Sequence, residues 1–344
     1  MSIFNDQDFT EINEQYTTIN MKNTFNITAI TVSPLLQLDL NGKQRKKFVL
    51  IDDEHYLEPF FSANGLRGIL RRIMTKDMVE IIRKKNPKFN LTPEDFYLYT
   101  SGSSTDKKSI NTISWKKVEE IREKAPILSL FGAGLTGISG KCAISDLKPI
   151  SSITRYKIIQ NNDAVEIKKD IPLTNYTVFF RTDDLQKNTG MQNLVDQDDI
   201  KKWQNKYYKD VKISKSLKEN GDINSEKTSH IAQVIEIESI IPNVTLTSSI
   251  NPLYGHKFTD IELGLFLKAL IELSKQQIGA SKRLGYGVLD WHIELNGESM
   301  FSTICDKEYI FNKKIEMSKK CSDYIHTYEE WADRHYESLD ITKF

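Results

Sequence analysis

Ser62-Ala63-Asn64-Gly65-Leu66-Arg67-Gly68-Ile69-Leu70-Arg71-Arg72 is the stretch on which the fold turns. Ser62 is a natural N-cap, and an apolar series of Leu66, Ile69, Leu70, Ile73, Met78, Ile81 and Ile82 follows it at helical spacing to about Lys85. Asn86-Pro87 stops the series, because the residue before a proline avoids the helical region. Gly65 and Gly68 stand in the first turns, where each costs about 1 kcal/mol relative to alanine, so they need a reason. One reason is close approach of a phosphate backbone to the N–H groups of the helix start, which attract anions. The other is a small-residue helix packed tightly on a sheet beneath solvated arginines. Arg67 and Arg71 lie four apart and share one flank of the apolar stripe.

Upstream, Phe25 to Leu40 reads as a first strand with a broken alternation that Pro34 interrupts; Asn41-Gly42 reads as a hairpin turn, and Phe48 to Ile51 as the return. Downstream, residues 86–126 read as a helical insertion with short helices from Thr92-Pro93 and from Trp115 to Glu123. Lys141 to Leu147 is a short strand ended by Pro149. Residues 150–228 are polar and irregular apart from a strand at Tyr176–Arg181, with turns at Asn188-Thr-Gly190 and Glu219-Asn-Gly221. His230 to Thr247 is a long β-branched run marked by Pro242. Thr259-Asp-Ile-Glu262 is a capping box that opens a helix through about Lys275, and Tyr286 to Leu295 alternates. Strand, helix, strand, strand, helix, strand is the order of an α+β, ferredoxin-like βαββαβ unit.

Length and charge bound the function. The chain has 344 residues with 47 basic and 47 acidic side chains, so it is not uniformly basic, yet residues 41–90 hold twelve basic and six acidic ones. Residues 201–228 carry eight lysines against four acids, and residues 297–344 carry seven basic against ten acidic residues. A locally basic surface on a neutral chain suits a protein that follows a polyanion along one groove. No run approaches 18 apolar residues, and the acidic start, Met1 to Thr10, does not resemble a signal peptide; a soluble cytoplasmic protein without membrane contact is expected. Cys142, Cys305 and Cys321 are too scattered for a disulfide framework or a zinc site. The six histidines show no metal-binding spacing, and Asp52-Asp53-Glu54 reads as an acidic loop, so no metal and no cofactor are expected.

Two glycine-rich segments remain. Gly132-Ala-Gly134-Leu-Thr-Gly137 has the letters of a dinucleotide fingerprint with Leu128 to Phe131 in the place of its strand. The strand-like run that follows leaves no room for the required helix, so the fingerprint is rejected. Ile278-Gly279-Ala-Ser281-Lys282-Arg283-Leu-Gly285-Tyr286-Gly287 joins the last helix to the last strand, and glycine, serine and two cations in succession form a backbone nest for phosphate. Asp39, placed at the end of the first strand, is the one weak catalytic candidate, as a group that orients a 2′-hydroxyl; as a lone strand-end aspartate it is also a turn former. Trp203, Tyr207 and Tyr208 stand among lysines, either to stack on bases or to pack a helix face.

Four segments, in order, resemble the effector-backbone subunits of the CRISPR-associated RAMP superfamily. Phe60 to Arg71 resembles the "P-x-S-S-L-[KR]-G-x-[LI]-R" helix start. Leu130-Phe131-Gly132 with Gly140 to Asp146 resembles "L-F-G…G-x-[LIV]-x-[FV]-[ST]-D-A", with Leu147 departing from alanine. Glu236 to Pro242 resembles "E-x-[LIV]-P", and Gly279 to Gly287 resembles "G-G-x-[KR]-S-R-G-Y-G". The resemblance implies an RRM-like palm formed by 25–85, 127–150 and 229–296, the helical insertion at 86–126, a thumb hairpin excursion at 151–228 and a C-terminal extension at 297–344. It further implies a non-enzymatic subunit that binds guide RNA (crRNA), forms a filament with copies of itself, joins other effector subunits and meets target nucleic acid through the guide. Ser62, Asn64, Arg67, Arg71, Arg181, Ser281, Lys282 and Arg283 are the RNA-binding positions it marks. The long excursion and Arg181-Thr-Asp-Asp-Leu185 look most like type IV members; a type III-like subunit that cleaves target RNA through Asp39 is the near alternative. A nucleotide enzyme built on the Gly132 loop is a third reading.

Overall fold

The structure, a computed structural model, describes residues 23–51, 54–102, 114–133, 137–150, 173–181 and 233–339, with short pieces and isolated positions between 159 and 202. Strand β1 (Phe25–Thr31) alternates cleanly, with Phe25, Ile27, Ala29 and Thr31 buried and Asn26, Thr28 and Ile30 turned the other way. It stops nine residues short of the expected end at Leu40. Pro34 has no N–H to donate, and beyond it the chain makes only isolated bridges, Leu35 with Ile240 and Leu38 with Gln44. β2 (Lys46–Ile51) pairs forward with β3 (Glu54–Pro59) in a separate hairpin, so the Phe48–Ile51 return does not extend β1.

Helix α1 (Ala63–Lys85) begins at the expected cap and ends at Asn86. Leu66, Leu70, Met74, Met78, Ile81 and Ile82 form its buried stripe, and Arg83, Lys84 and Lys85 complement the negative end of its dipole. The insertion supplies α2 (Pro93–Ser101), capped by Thr92, and α3 (Trp115–Lys124), capped by Ser114. α4 (Pro126–Phe131) is helical where the dinucleotide reading needed a strand. A small ladder of β4 (Gly132–Ala133) and β5 (Ile138–Ser139) follows, and a Cβ on Gly132 would collide with the backbone of Gly140. Next come β6 (Cys142–Ile144), β7 (Lys148–Pro149) and a two-residue ladder of β8 (Ile159–Gln160) with β9 (Asp163–Ala164).

β10 (Thr174–Arg181) covers the strand read from the sequence and pairs with β11 (Gln233–Ile240). The β-branched run is two strands, not one: Pro242 and Asn243, the latter at φ +62°, turn the chain from β11 into β12 (Thr245–Pro252). The turns at Asn188–Gly190 and Glu219–Gly221, together with Trp203, Tyr207 and Tyr208, lie outside the described residues. α5 (Asp260–Ser274) carries the capping box, with the Thr259 and Glu262 side chains reciprocally bonded. β13 (Leu289–Leu295), β14 (Glu298–Cys305), β15 (Lys313–Met317), α6 (Lys319–Arg334) and α7 (Tyr336–Leu339) complete the chain.

The fold is α+β. Its main sheet is antiparallel, in the order β15-β14-β13-β1-β12-β6, with β7 also on β12. Helices cover the face that carries Phe25 and Ile27, and Phe266 of α5 gathers the rings of Phe25, Phe131 and Phe258 at centroid distances of 5.6, 5.8 and 5.5 Å. Two compact units result, residues 1–173 with 240–344, and residues 174–239; within the second, Thr174 donates to Glu238 Oε1 (2.9 Å).

Of residues 297–344, set apart as an extension in the sequence, the described part, 297–339, continues the sheet and closes its helical layer. A Cβ on Gly264 would strike the backbone carbonyl of Tyr324, so α5 and α6 approach backbone to backbone at this crossing. Lys268 binds Asp77 (2.7 Å) and Glu329 (2.9 Å), and the Tyr328 hydroxyl donates to Asp77 (2.9 Å), so one ionic knot joins α1, α5 and α6.

Candidate nucleic-acid interface

Antiparallel pairing of β1 with β13 puts Thr31 opposite Leu289, so the loop that precedes β13 must lie at the end of β1, where the chain leaves for α1. The contacts bear this out residue by residue. Ala280 N–H donates to Leu36 O (2.8 Å) and Gly287 N–H to Pro34 O (2.8 Å), while a Cβ on Gly279 would collide with the Leu36 carbonyl. The next residue, Gln37, spans to the helix start: its Nε2 donates to Ser62 Oγ (2.9 Å) and its Oε1 accepts from Ser62 N–H (2.5 Å). Consecutive Cα atoms are about 3.8 Å apart, so both glycine-bearing stretches hang on one short piece of chain. Arg45, whose N–H donates to Gln37 O (2.7 Å), brings a further cation to this corner.

The start of α1 is occupied from within. The helix has no acid in its first turn, and Asp146 supplies one from 83 residues away: Oδ1 accepts from Ala63 N–H (2.8 Å) while Oδ2 meets Lys47 Nζ (3.2 Å). Ser62, only 6% exposed, caps Gly65 N–H (3.1 Å). A Cβ on Gly65 would stand 2.6 Å from the Gln37 amide nitrogen, so a larger residue here would push that amide off Ser62. The free N–H cradle expected at Ser62 is therefore already filled by Asp146, Gln37 and Ser62 itself. Gln37 and Asp146 were missed in the sequence; the one signal was an acid-free first turn, which a distant carboxylate must complete.

The two arginines of α1 separate. Arg71, read as sharing a flank with Arg67, is 4% exposed, and its guanidinium donates to Tyr99 O (2.8 Å), Leu98 O (2.8 Å) and Gly132 O (3.2 Å). Burial first, and then the charge of Arg67, pull its pKa down to about 10, which leaves it charged at neutral pH. It braces the end of α2 against the Gly132 ladder. Arg67 is half-buried, meets no carboxylate among the described residues, and has a buried Nε without an acceptor. A like charge one turn away and an orphaned donor cost stability unless an anion arrives. Asn64 is exposed on the same turn.

On the loop, Ser281 sits at φ +56° and opens a 3-10 turn, Lys282–Leu284. Gln277 Nε2 pins the turn by donating to Lys282 O (3.1 Å) and Tyr286 O (2.8 Å). Lys282 and Arg283 are exposed and meet no carboxylate among the described residues. Arg181 ends β10, and its side chain is outside the described part. Asp39 lies eight residues past β1, not at its end; its Oδ1 accepts from Asn41 N–H (2.8 Å) and Lys43 N–H (2.9 Å), and these backbone bonds hold its pKa below the usual carboxylate value. Among the described residues no group of three or more His, Cys, Asp and Glu is placed to hold a metal ion, and no helix is long and apolar enough to cross a membrane.

No protein-family model matches the chain, and no curated protein does. Among solved structures it is similar to a chain titled "Type IV-B CRISPR Complex", at 13% identity and a TM-score of 0.47, over 79% of this chain and 90% of that one.

Proposed function

We propose that the chain is a guide-RNA-binding backbone subunit of a CRISPR ribonucleoprotein, a binding protein and not an enzyme. It grips one strand through phosphates and leaves the bases to pair, with further copies and other effector subunits along the same guide. The carrying observation is that Arg67 on one side and Lys282 and Arg283 on the other are cations that meet no carboxylate among the described residues, on two stretches held by Leu36 and Gln37. The four motif segments add support, since two of them are these stretches and a third contains Asp146, which completes the helix start. The strand order β13-β1-β12-β6, fourth, first, third and second in the βαββαβ succession, supports a ferredoxin-like palm.

Sequencing the RNA that remains with the purified protein tests this reading. Repeat-derived guides of defined length are expected; a protein free of nucleic acid, or one carrying random cellular RNA, overturns it. Complementary RNA added with a divalent cation is expected to stay intact with wild type and Asp39→Ala alike, because the Asp39 carboxylate is turned into its own loop. Cleavage that disappears in Asp39→Ala would establish the type III-like alternative.

A further inference from the structure

The C-terminal extension reaches the glycine loop. Lys313, the first residue of β15, buries its ammonium between Ser274 O (2.5 Å), at the end of α5, and Leu289 O (2.8 Å), at the start of β13. Those two carbonyls are the ends of the connection that carries Lys282 and Arg283, so Lys313 staples the β14–β15 turn to it. The turn is tightly self-bonded. Asp306 Oδ1 accepts from Glu308 N–H (2.7 Å) and Tyr309 N–H (2.9 Å), Asn312 N–H donates to Tyr309 O (2.7 Å), and Asp306 N–H donates to Asn312 O (2.8 Å).

This rigid turn holds two aromatic rings in solvent, Tyr309 at 66% and Phe311 at 59% exposure. Phe311 lies over Gly285: a Cβ there would stand 3.9 Å from Phe311 Cζ. Leu284, 51% exposed, is the neighbouring residue, and Lys282 and Arg283 precede it. Flat apolar faces beside uncompensated cations, on backbone already ordered, match a partner that carries anions and flat rings in every repeat. Single-stranded nucleic acid is such a partner.

We infer that Phe311 and Tyr309 form a stacking ledge for bases of the single strand whose phosphates Lys282 and Arg283 hold. The inference rests on the RNA-binding reading and adds to it a stacking contact from a segment outside the four motifs.

Binding by the full-length protein is compared for a uridine oligoribonucleotide and an abasic ribose-phosphate strand of equal length. Phe311→Ala is expected to weaken uridine binding about thirtyfold, the middle of the range for loss of one stacked base, and to leave abasic binding unchanged. Phe311→Trp restores the affinity, and its emission is quenched by the uridine strand and not by the abasic one. Arg283→Ala weakens both strands. Equal loss for both strands in Phe311→Ala, or no loss, overturns the ledge while Arg283→Ala still reports on the grip. A change of oligomeric state in RNA-free Phe311→Ala marks the patch as a contact between copies and also overturns it. A wild type that binds neither strand removes the RNA-binding reading itself.

Discussion

Arg67→Ala combined with Arg283→Ala weakens single-stranded RNA binding roughly a hundredfold at physiological salt, whatever the base sequence. Each guanidinium is worth about tenfold, since a hydrogen bond to a charged group contributes about 1.5–3 kcal/mol. The two sites share no partner, so their losses add. The salt dependence carries the more specific signature. Each lost phosphate contact lowers the slope of log K against log salt by about 0.7 on a single strand, so the double variant is flatter by about 1.4. Titrations at several salt concentrations measure both quantities. Thermal unfolding of the RNA-free protein stays at or above wild type, because Arg67→Ala removes a like charge beside Arg71 and a buried Nε with no acceptor among the described residues, and Arg283 is exposed. Unchanged affinity and slope would remove the interface assigned to this corner.

Arg71→Met has the opposite profile. The side chain is buried, and its removal takes the guanidinium's hydrogen bonds from the carbonyls of Tyr99, Leu98 and Gly132, of which Leu98 keeps the Gly102 N–H (3.0 Å); a hydrogen bond to a charged group contributes about 1.5–3 kcal/mol. A loss of about 3 kcal/mol or more is expected, read as a fall in the denaturant midpoint. Arg71→Lys does not rescue it, since one ammonium cannot span the fork that a guanidinium makes across two chain segments. Near-wild-type stability with loss of RNA binding would show that Arg71 belongs to the ligand and not to the scaffold.

These two arginines also show where a sequence stops being informative. They are the same residue type, one turn apart, and helical periodicity treats them alike. Their fates are set by what arrives over Arg71, α2 from 27 and 28 residues away and Gly132 from 61 away. The start of α1 and the capping box of α5 were legible because an N-cap oxygen and the backbone N–H that donates to it lie three residues apart. The meeting of the two glycine stretches was not legible in the sequence, because the βαββαβ succession alone does not set the last connection beside the start of the first helix; the pairing of Thr31 with Leu289 and the bonds from Leu36 and Gln37 bring them together. Gln37 and Asp146, which do the joining, act across 25 and 83 residues and carry no local pattern. The β2–β3 hairpin and the division of the β-branched run into β11 and β12 were missed for a related reason: apolar alternation reports that a segment is extended, not which strand it pairs with.

The crossing of α5 and α6 bears on how little of this chain makes a self-sufficient molecule. Trimming it at 295, where the recognisable motifs stop, would strip β14, β15 and α6 away and turn the Gly264 flank of α5 into a greasy outer wall. Lys268 and Asp77 would lose Glu329 and Tyr328 from their knot, and Lys313 would no longer hold the two ends of the cationic loop. The minimal folded body therefore extends well past the boundary that motif matching draws, and the acidic tail is masonry before it is ornament.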